Sequence, residues 1–177
     1  MLVRRLDEED AEEFRTLRLE ALRESPEAFR SSYEETVRQP AAILIARLRR
    51  NPDAPHDFFL GAFDPTMIGM VGFHRESRLK TRHKGSIVSM HVAAAARGRG
   101  VGRALLERAI VEARSQPDLE HLLLAVVSTN QAAKRLYAAF GFVVYCVEPR
   151  ALKLGDRYFD EDLMVLDLRA GGRLPGS

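Results

Sequence analysis

The residues best suited to chemistry in this chain are Arg97-Gly98-Arg99-Gly100-Val101-Gly102, with Arg103 directly after them. Glycine at alternate positions lets the backbone approach a ligand with no side chain in between. The run before the loop, Gly85 to Val92, reads as a strand. The run after it, from about Gly100 to Gln116, carries Leu105, Leu106, Ala109, Ile110 and Ala113 on one helical face. Amides at the start of such a helix have no partner within it, and the helix dipole adds positive potential there. Together with the arginines this suits a diphosphate. A dinucleotide fingerprint needs glycine at its sixth place, where the two registers have Arg103 and Leu105, and no G-K-[ST] follows to make a Walker A loop.

A second constellation lies in Ser128 to Phe142. Asn130 and Tyr137 are seven residues apart, two helical turns with a drift of about 20°. They share a face, roughly 10 Å apart along the axis. A ligand along that face would meet an amide at one end and a phenol at the other. The competing reading is a capping asparagine and a half-buried tyrosine.

With both motifs in order, the chain resembles the general-control-related N-acetyltransferase (GNAT) superfamily. The resemblance rests on Arg97-x-x-Gly100-x-Gly102 after a strand, then Asn130-x-x-Ala133-x-x-Leu136-Tyr137 and Gly141-Phe142, and spans Leu2 to about Leu168. Relatives often carry a proline shortly before the arginine, where this chain has Ala93 to Ala96, which makes the approach to the loop less rigid.

The resemblance implies acetyl-CoA as co-substrate, with no metal. Arg97, Gly98, Arg99, Gly100, Val101, Gly102 and Arg103 would hold its pyrophosphate. Val92 would offer backbone hydrogen bonds to the pantetheine arm, Asn130 and Ala133 would meet the cofactor, and Tyr137 would protonate the departing thiolate. It implies two central strands, Gly85 to Val92 and Leu119 to Val127, splayed to admit the thioester. Many relatives place a glutamate on the strand before the loop, but this strand has no acid. His91 is its one side chain titrating near neutrality, so His91, or water held by His91 and Ser89, is the candidate proton relay. The alternative is a hydrogen-bonded structural histidine.

The acceptor is expected opposite the cofactor, between Phe29 to Glu35 and Arg157 to Glu161. Phe29, Tyr33, Glu34 and Tyr158 are the named candidates there. Glu34, Glu35, Asp160 and Glu161 would attract a cationic amine, or be solvated surface, and Tyr33 and Tyr158 would otherwise be packing residues. The implied function is acetyl transfer to a primary amine, whether small amine, polyamine, amino acid or protein amine. The alternative is a silent acyl-CoA sensor. The resemblance also allows a homodimer.

Positioning these residues takes an α/β fold, a single-domain mixed sheet with helices on both faces. Leu2 to Leu6 reads as a strand, and Asp7 as a helix cap. Ala11, Phe14, Leu17, Ala21 and Leu22 mark a helix to about Arg23, with Arg15 and Arg18 facing solvent. Ser25-Pro26 breaks it. Residues 27–39 are mixed, and a helix covers Ala41 to Arg50, ended by Asn51-Pro52. Phe58 to Phe63 and Met67 to Arg75 form a hairpin about Asp64-Pro65-Thr66. Asn130 to Ala139 is a short helix that Gly141 ends, and Phe142 to Val147 and Phe159 to Leu168 are the closing strands. The domain spans residues 1–169, and the Gly-rich tail 170–177 is expected to be disordered.

Composition narrows the classes further. With 27 basic and 25 acidic side chains, the net charge of +2 gives no basic stripe for nucleic acid. One cysteine, Cys146, cannot make an internal disulfide. No apolar run could span a membrane and the first residues are no signal peptide, so the cytoplasm is the expected compartment.

Overall fold

The computed structural model describes residues 1–49 and 56–169. The expected helix end at Arg50 and Asn51-Pro52, and the tail 170–177, lie outside them. Among the described residues the elements are β1 (Leu2–Arg5), α1 (Ala11–Glu24), α2 (Tyr33–Arg38), α3 (Ala41–Leu48), β2 (Phe58–Phe63), β3 (Met67–Arg75), β4 (Lys84–Val92), α4 (Val101–Arg114), β5 (His121–Val127), α5 (Gln131–Ala139), β6 (Val143–Leu154) and β7 (Arg157–Asp167). The strands form one sheet in the order β1-β2-β3-β4-β5-β7-β6. Neighbours are antiparallel except β4 and β5, which α4 joins in parallel.

Alternating apolar residues cover both faces of this sheet. On one, Leu60, Val71, Phe73, Ile87, Leu122 and Leu124 pack under Leu105, Leu106 and Ile110 of α4. On the other, Met67 and Met70 pack with Phe14, Leu17 and Ala21 of α1 and Leu48 of α3. Asp7 starts the first helical segment as expected: its carboxylate accepts from the Glu9 amide at 3.0 Å, and a 3-10 turn at Glu8–Asp10 leads into α1.

Two regions differ from the sequence reading. Helix α2 lies inside the stretch read as mixed, and a capping box starts it. The Ser32 hydroxyl accepts from the Glu35 amide at 3.1 Å, and the Glu35 carboxylate accepts from the Ser32 amide at 2.9 Å. The S-x-x-E spelling was its available signal. Strands β6 and β7 extend into the tight turn at Gly155, φ +60°, rather than stopping at Val147 and starting at Phe159. Strand β6 is the sheet edge and largely exposed, so it lacks the alternation by which a half-buried strand is read. An edge also tolerates Pro149 and the irregular Arg150, φ +53°.

The pairing that shapes the molecule is between β4 and β5. It holds only at Lys84–His121, Gly85–Leu122 and Ser86–Leu123. Beyond Ser86 and Leu123 the strands part, as the resemblance implied, and their facing backbone groups no longer pair across the gap.

Candidate active site

The wedge between β4 and β5 ends at the glycine loop. Ala94–Ala96 forms a 3-10 turn in place of the proline. Gly98 and Gly100 then take φ of +74° and +79°, and a Cβ on either would stand in open space. Steric crowding therefore does not explain these glycines. The left-handed backbone does, and it leaves the loop's surface bare. Gly100 caps α4 with no side-chain hydrogen bond, and the first turn carries no acid. The opening amides of α4 are thus left for an external acceptor. Gly102 sits deeper: a Cβ there would be 3.4 Å from both Leu136 and Met90, so it lets β4, α4 and α5 converge. Val101 is buried in the core.

The arginines of the loop are held by neighbouring groups. Arg97 donates from Nε to the Val92 carbonyl at 3.0 Å and from Nη2 to Glu24 at 2.6 Å. Arg99 is hydrogen-bonded to Asp64, and Arg103 lies 5.3 Å over the Phe140 ring. Whatever cationic field they supply at the loop is fixed in place.

Helix α5 forms the far side of the wedge. Asn130 is its cap, accepting from the Ala133 amide at 3.1 Å, so the capping reading holds for its carbonyl and the amide nitrogen is left over. Ala133 and Leu136 pack against the core. Tyr137 is 6% exposed and meets Phe142 edge-on at 6.0 Å. Burial pushes its phenol up to about 12, so it stays protonated at neutral pH. Gly141, φ +91°, ends the helix: its amide donates to Ala138 and that of Phe142 to Tyr137.

Two buried acids on β7 support this end of the wedge, and sequence reasoning assigned neither a structural role. Asp162 accepts from the Ser128 hydroxyl and pairs with Lys134 at 2.5 Å, which anchors the start of α5 to the sheet. Those hydrogen bonds hold its carboxyl below the usual range. Glu161 opposes Val127 of β5 and takes a 2.7 Å hydrogen bond from Arg30, which also lies 3.7 Å from Glu148.

On the α1 side the site centres on His91. The β3–β4 register slips between Met70 and Gly72, opposite a bulge at Ser89, φ +55°. The extra residue shifts the alternation. Met90 and Val92 stay with the α4 core, while His91 pairs with Met70 and turns to α1. Simple two-residue alternation would put Ser89 and His91 on one face, and it does not hold across this bulge. The His91 side chain is 5% exposed and its Nε2 has no hydrogen-bond partner, with Glu24 Oε2 at 3.9 Å. Burial, then Arg97, pushes the imidazole down to about 4, a shift Glu24 partly offsets. Glu20 and Glu24 of α1 join this group; no strand residue announced them, and only the fold brings them to β4.

Phe29 lies 6.3 Å from the His91 ring, and the Arg18 guanidinium lies over the Phe29 ring at 4.5 Å. Arg18 therefore does not face solvent: Nη1 is buried and unpartnered, and burial pushes the guanidinium down to about 10. Beside it opens a cavity of about 630 Å³, between Phe29, Tyr33 and Glu34 on one wall and Leu152, Leu154 and Phe159 on the other. The two expected acceptor segments are thus brought together. Tyr158 is not part of the lining. Alternation sends Phe159 to the cavity, while Tyr158 is half exposed under Arg150 and Lys153.

A seven-stranded mixed sheet parted between two parallel strands, with an uncapped helix aimed into the gap, defines a class that the comparisons identify. The sequence profile of the Acetyltransferase (GNAT) family matches residues 14–142, and the chain belongs to that family. An acetyltransferase of the GNAT family from Streptococcus pneumoniae superposes with a TM-score of 0.85 at 23% identity, over 94% of this chain and 98% of that one. The yncA protein of Salmonella typhimurium, a putative acetyltransferase solved with its cofactor acetyl-CoA, gives 0.78 at 25% identity, over 95% and 94%. A GCN5-related N-acetyltransferase from Kribbella flavida gives 0.77 at 26% identity, over 94% and 97%. None of the curated proteins compared matches the chain significantly. Among the described residues no helix is long and apolar enough to cross a membrane.

Proposed function

We propose that this acetyltransferase moves the acetyl group of acetyl-CoA to a primary amine by direct attack. The observation that carries the reading is the bare, uncapped start of α4 at the mouth of the β4–β5 wedge. The amides of residues 100–103 would bind the pyrophosphate. The edges of β4 and β5 that do not pair with each other would take the amide groups of the pantetheine arm, with the Val92 carbonyl accepting from Arg97 at the same time. Asn130 would bond the cofactor through its remaining amide nitrogen.

The net reaction turns R–NH3⁺ and acetyl-CoA into the N-acetyl amine, free thiol and one proton. The neutral amine attacks the thioester carbonyl, the C–S bond breaks, and Tyr137 donates to the departing thiolate. Its raised pKa keeps that proton in place until it is needed. His91 stands on the amine side as a neutral imidazole that relays the ammonium proton outward. The cavity bounded by Phe29, Tyr33, Glu34 and Phe159 would hold the rest of the acceptor. A homodimer belongs to the same reading, since β6 leaves Val143, Val144, Tyr145 and Val147 exposed. Light scattering tests it, and a monomer at every concentration would remove it.

The deciding experiment is a thiol-release screen with acetyl-CoA and a panel of small amines, polyamines, amino acids and peptide N-termini. Turnover of at least one amine is expected. Tyr137→Phe should lower kcat by about 10²-fold with acetyl-CoA affinity kept. Silence across the panel would point to a sensor.

A further inference from the structure

We propose that Glu20, Glu24 and His91 form a three-pronged receptor for the acceptor's ammonium group. The proposal rests on the amine-acceptor reading above and supplies the part that the acid-free strand β4 lacks. One carboxylate oxygen of Glu20, one of Glu24 and a ring nitrogen of His91 all lie within 4.8 Å of one another. The His91 Nε2 to Glu24 Oε2 separation is 3.9 Å.

Geometry limits what fits between them. An ammonium has three N–H donors in tetrahedral directions. With donor–acceptor distances of about 2.9 Å, its three acceptors stand about 4.7 Å apart. A zinc ion draws its ligands in to about 2.0–2.1 Å, which places them roughly 3.4 Å apart. The three atoms lie within the ammonium's span, and the His91–Glu24 pair at 3.9 Å would open by less than about 1 Å to take it.

Chemistry agrees. Nε2 of His91 is buried, unpartnered and next to the two acids. Burial holds the ring neutral at pH 7, and with its proton on Nδ1 the ring has a lone pair on Nε2 to offer. An unmet buried acceptor costs stability that a donor would return. Arg97 pairs with Glu24 at 2.6 Å, which orients that carboxylate and balances one of the two negative charges. The Arg18 guanidinium also acts on the ring, so the cluster carries little net charge, and the ammonium's attraction lies in its donors. Arg97 also begins the glycine loop, so its guanidinium braces the receptor against the cofactor side. The receptor favours an unsubstituted primary ammonium, since each added methyl removes one of the three donors.

The test uses the full chain labelled with ¹⁵N-histidine and needs no turnover. Methylammonium chloride is titrated in, then tetramethylammonium chloride at matched ionic strength, with His91→Asn identifying the resonance. Methylammonium should shift the His91 signal saturably, and tetramethylammonium should leave it in place. Glu24→Gln should weaken that binding about tenfold or more. Glu20→Gln, in an exposed residue away from the Arg97 pair, should do the same with the thermal midpoint unchanged. Equal shifts with both cations, or no shift with methylammonium, would overturn the receptor. So would zinc chloride displacing methylammonium at far lower concentration, which would mark a metal site. An inactive enzyme that passes this titration loses the proposed activity and keeps the receptor. An active one that fails it loses only the receptor.

Discussion

Burying an imidazole changes what pH does to folding. His91 titrates at about 4 in the folded chain against an ordinary 6.5. Above pH 6.5 neither state holds the proton, and the folded chain has its full stability. Between 6.5 and 4 the unfolded chain takes the proton and the folded one does not, so stability falls as pH falls. The loss amounts to about 3 kcal/mol once pH is below 4. Urea unfolding of wild type and His91→Asn at pH 7 and pH 4.5 checks this. The wild type should lose more stability on acidification, and parallel losses would contradict the assignment. Tyr137 works in the opposite sense. Its phenol ionises near 12 when folded and near 10 when unfolded. It therefore adds stability that is complete below pH 10 and disappears as pH rises through 12. In kinetics the same burial means that an alkaline limb of kcat below pH 11 should survive unchanged in Tyr137→Phe, since it would belong to another group.

At the scale of elements, the glycine loop works because two residues accept a left-handed backbone. Gly100→Ala places a Cβ in the open space before the first turn of α4 and strains a φ of +79°. Stability should fall by about 1 kcal/mol, while acetyl-CoA affinity, measured calorimetrically, should fall tenfold or more. A loss of stability with affinity intact would mean that the cradle lies elsewhere. This loop was legible because its requirements are local: glycine spacing, a strand before, an amphipathic face after. Helix α5 was legible for the same reason, with Asn130 and Gly141 at its two ends. The surroundings of His91 were not. Glu20 and Glu24 look like surface charges of α1 until that helix is laid across β4, and His91 faces them only because a bulge at Ser89 reverses the alternation. No window of sequence contains both facts. The hairpin of β6 and β7 was shortened for a related reason, since an edge strand exposed on both sides carries no periodic signature.

For the molecule as a whole, one sheet divides two apolar clusters, and the α4 cluster spans β2 to β7. Leu106 is fully buried in it. Leu106→Ala should cost about 2–5 kcal/mol and Leu17→Ala, on the opposite face, a comparable amount. Both should shift one shared unfolding transition seen by fluorescence and circular dichroism, because the strands belong to both layers. Two separate transitions would show that the faces fold apart. Such a result would also undermine the placement of His91 between them, which depends on α1 and α4 being held by the same strands.

The parted strands have a consequence for how the protein reports its own occupancy. Amides along residues 88–92 and 124–127 that lack a partner across the wedge should exchange readily with deuterated solvent. Once the acyl donor is bound, they should become slow. Deuterium uptake followed by mass spectrometry should show a footprint on these two segments, with the far strands β1 and β2 little changed. Binding at a hundredfold excess over Kd should also add about 2.7 kcal/mol to the folded state. A gap that weakens the empty sheet thus makes the chain's resistance to unfolding and proteolysis track the supply of its donor.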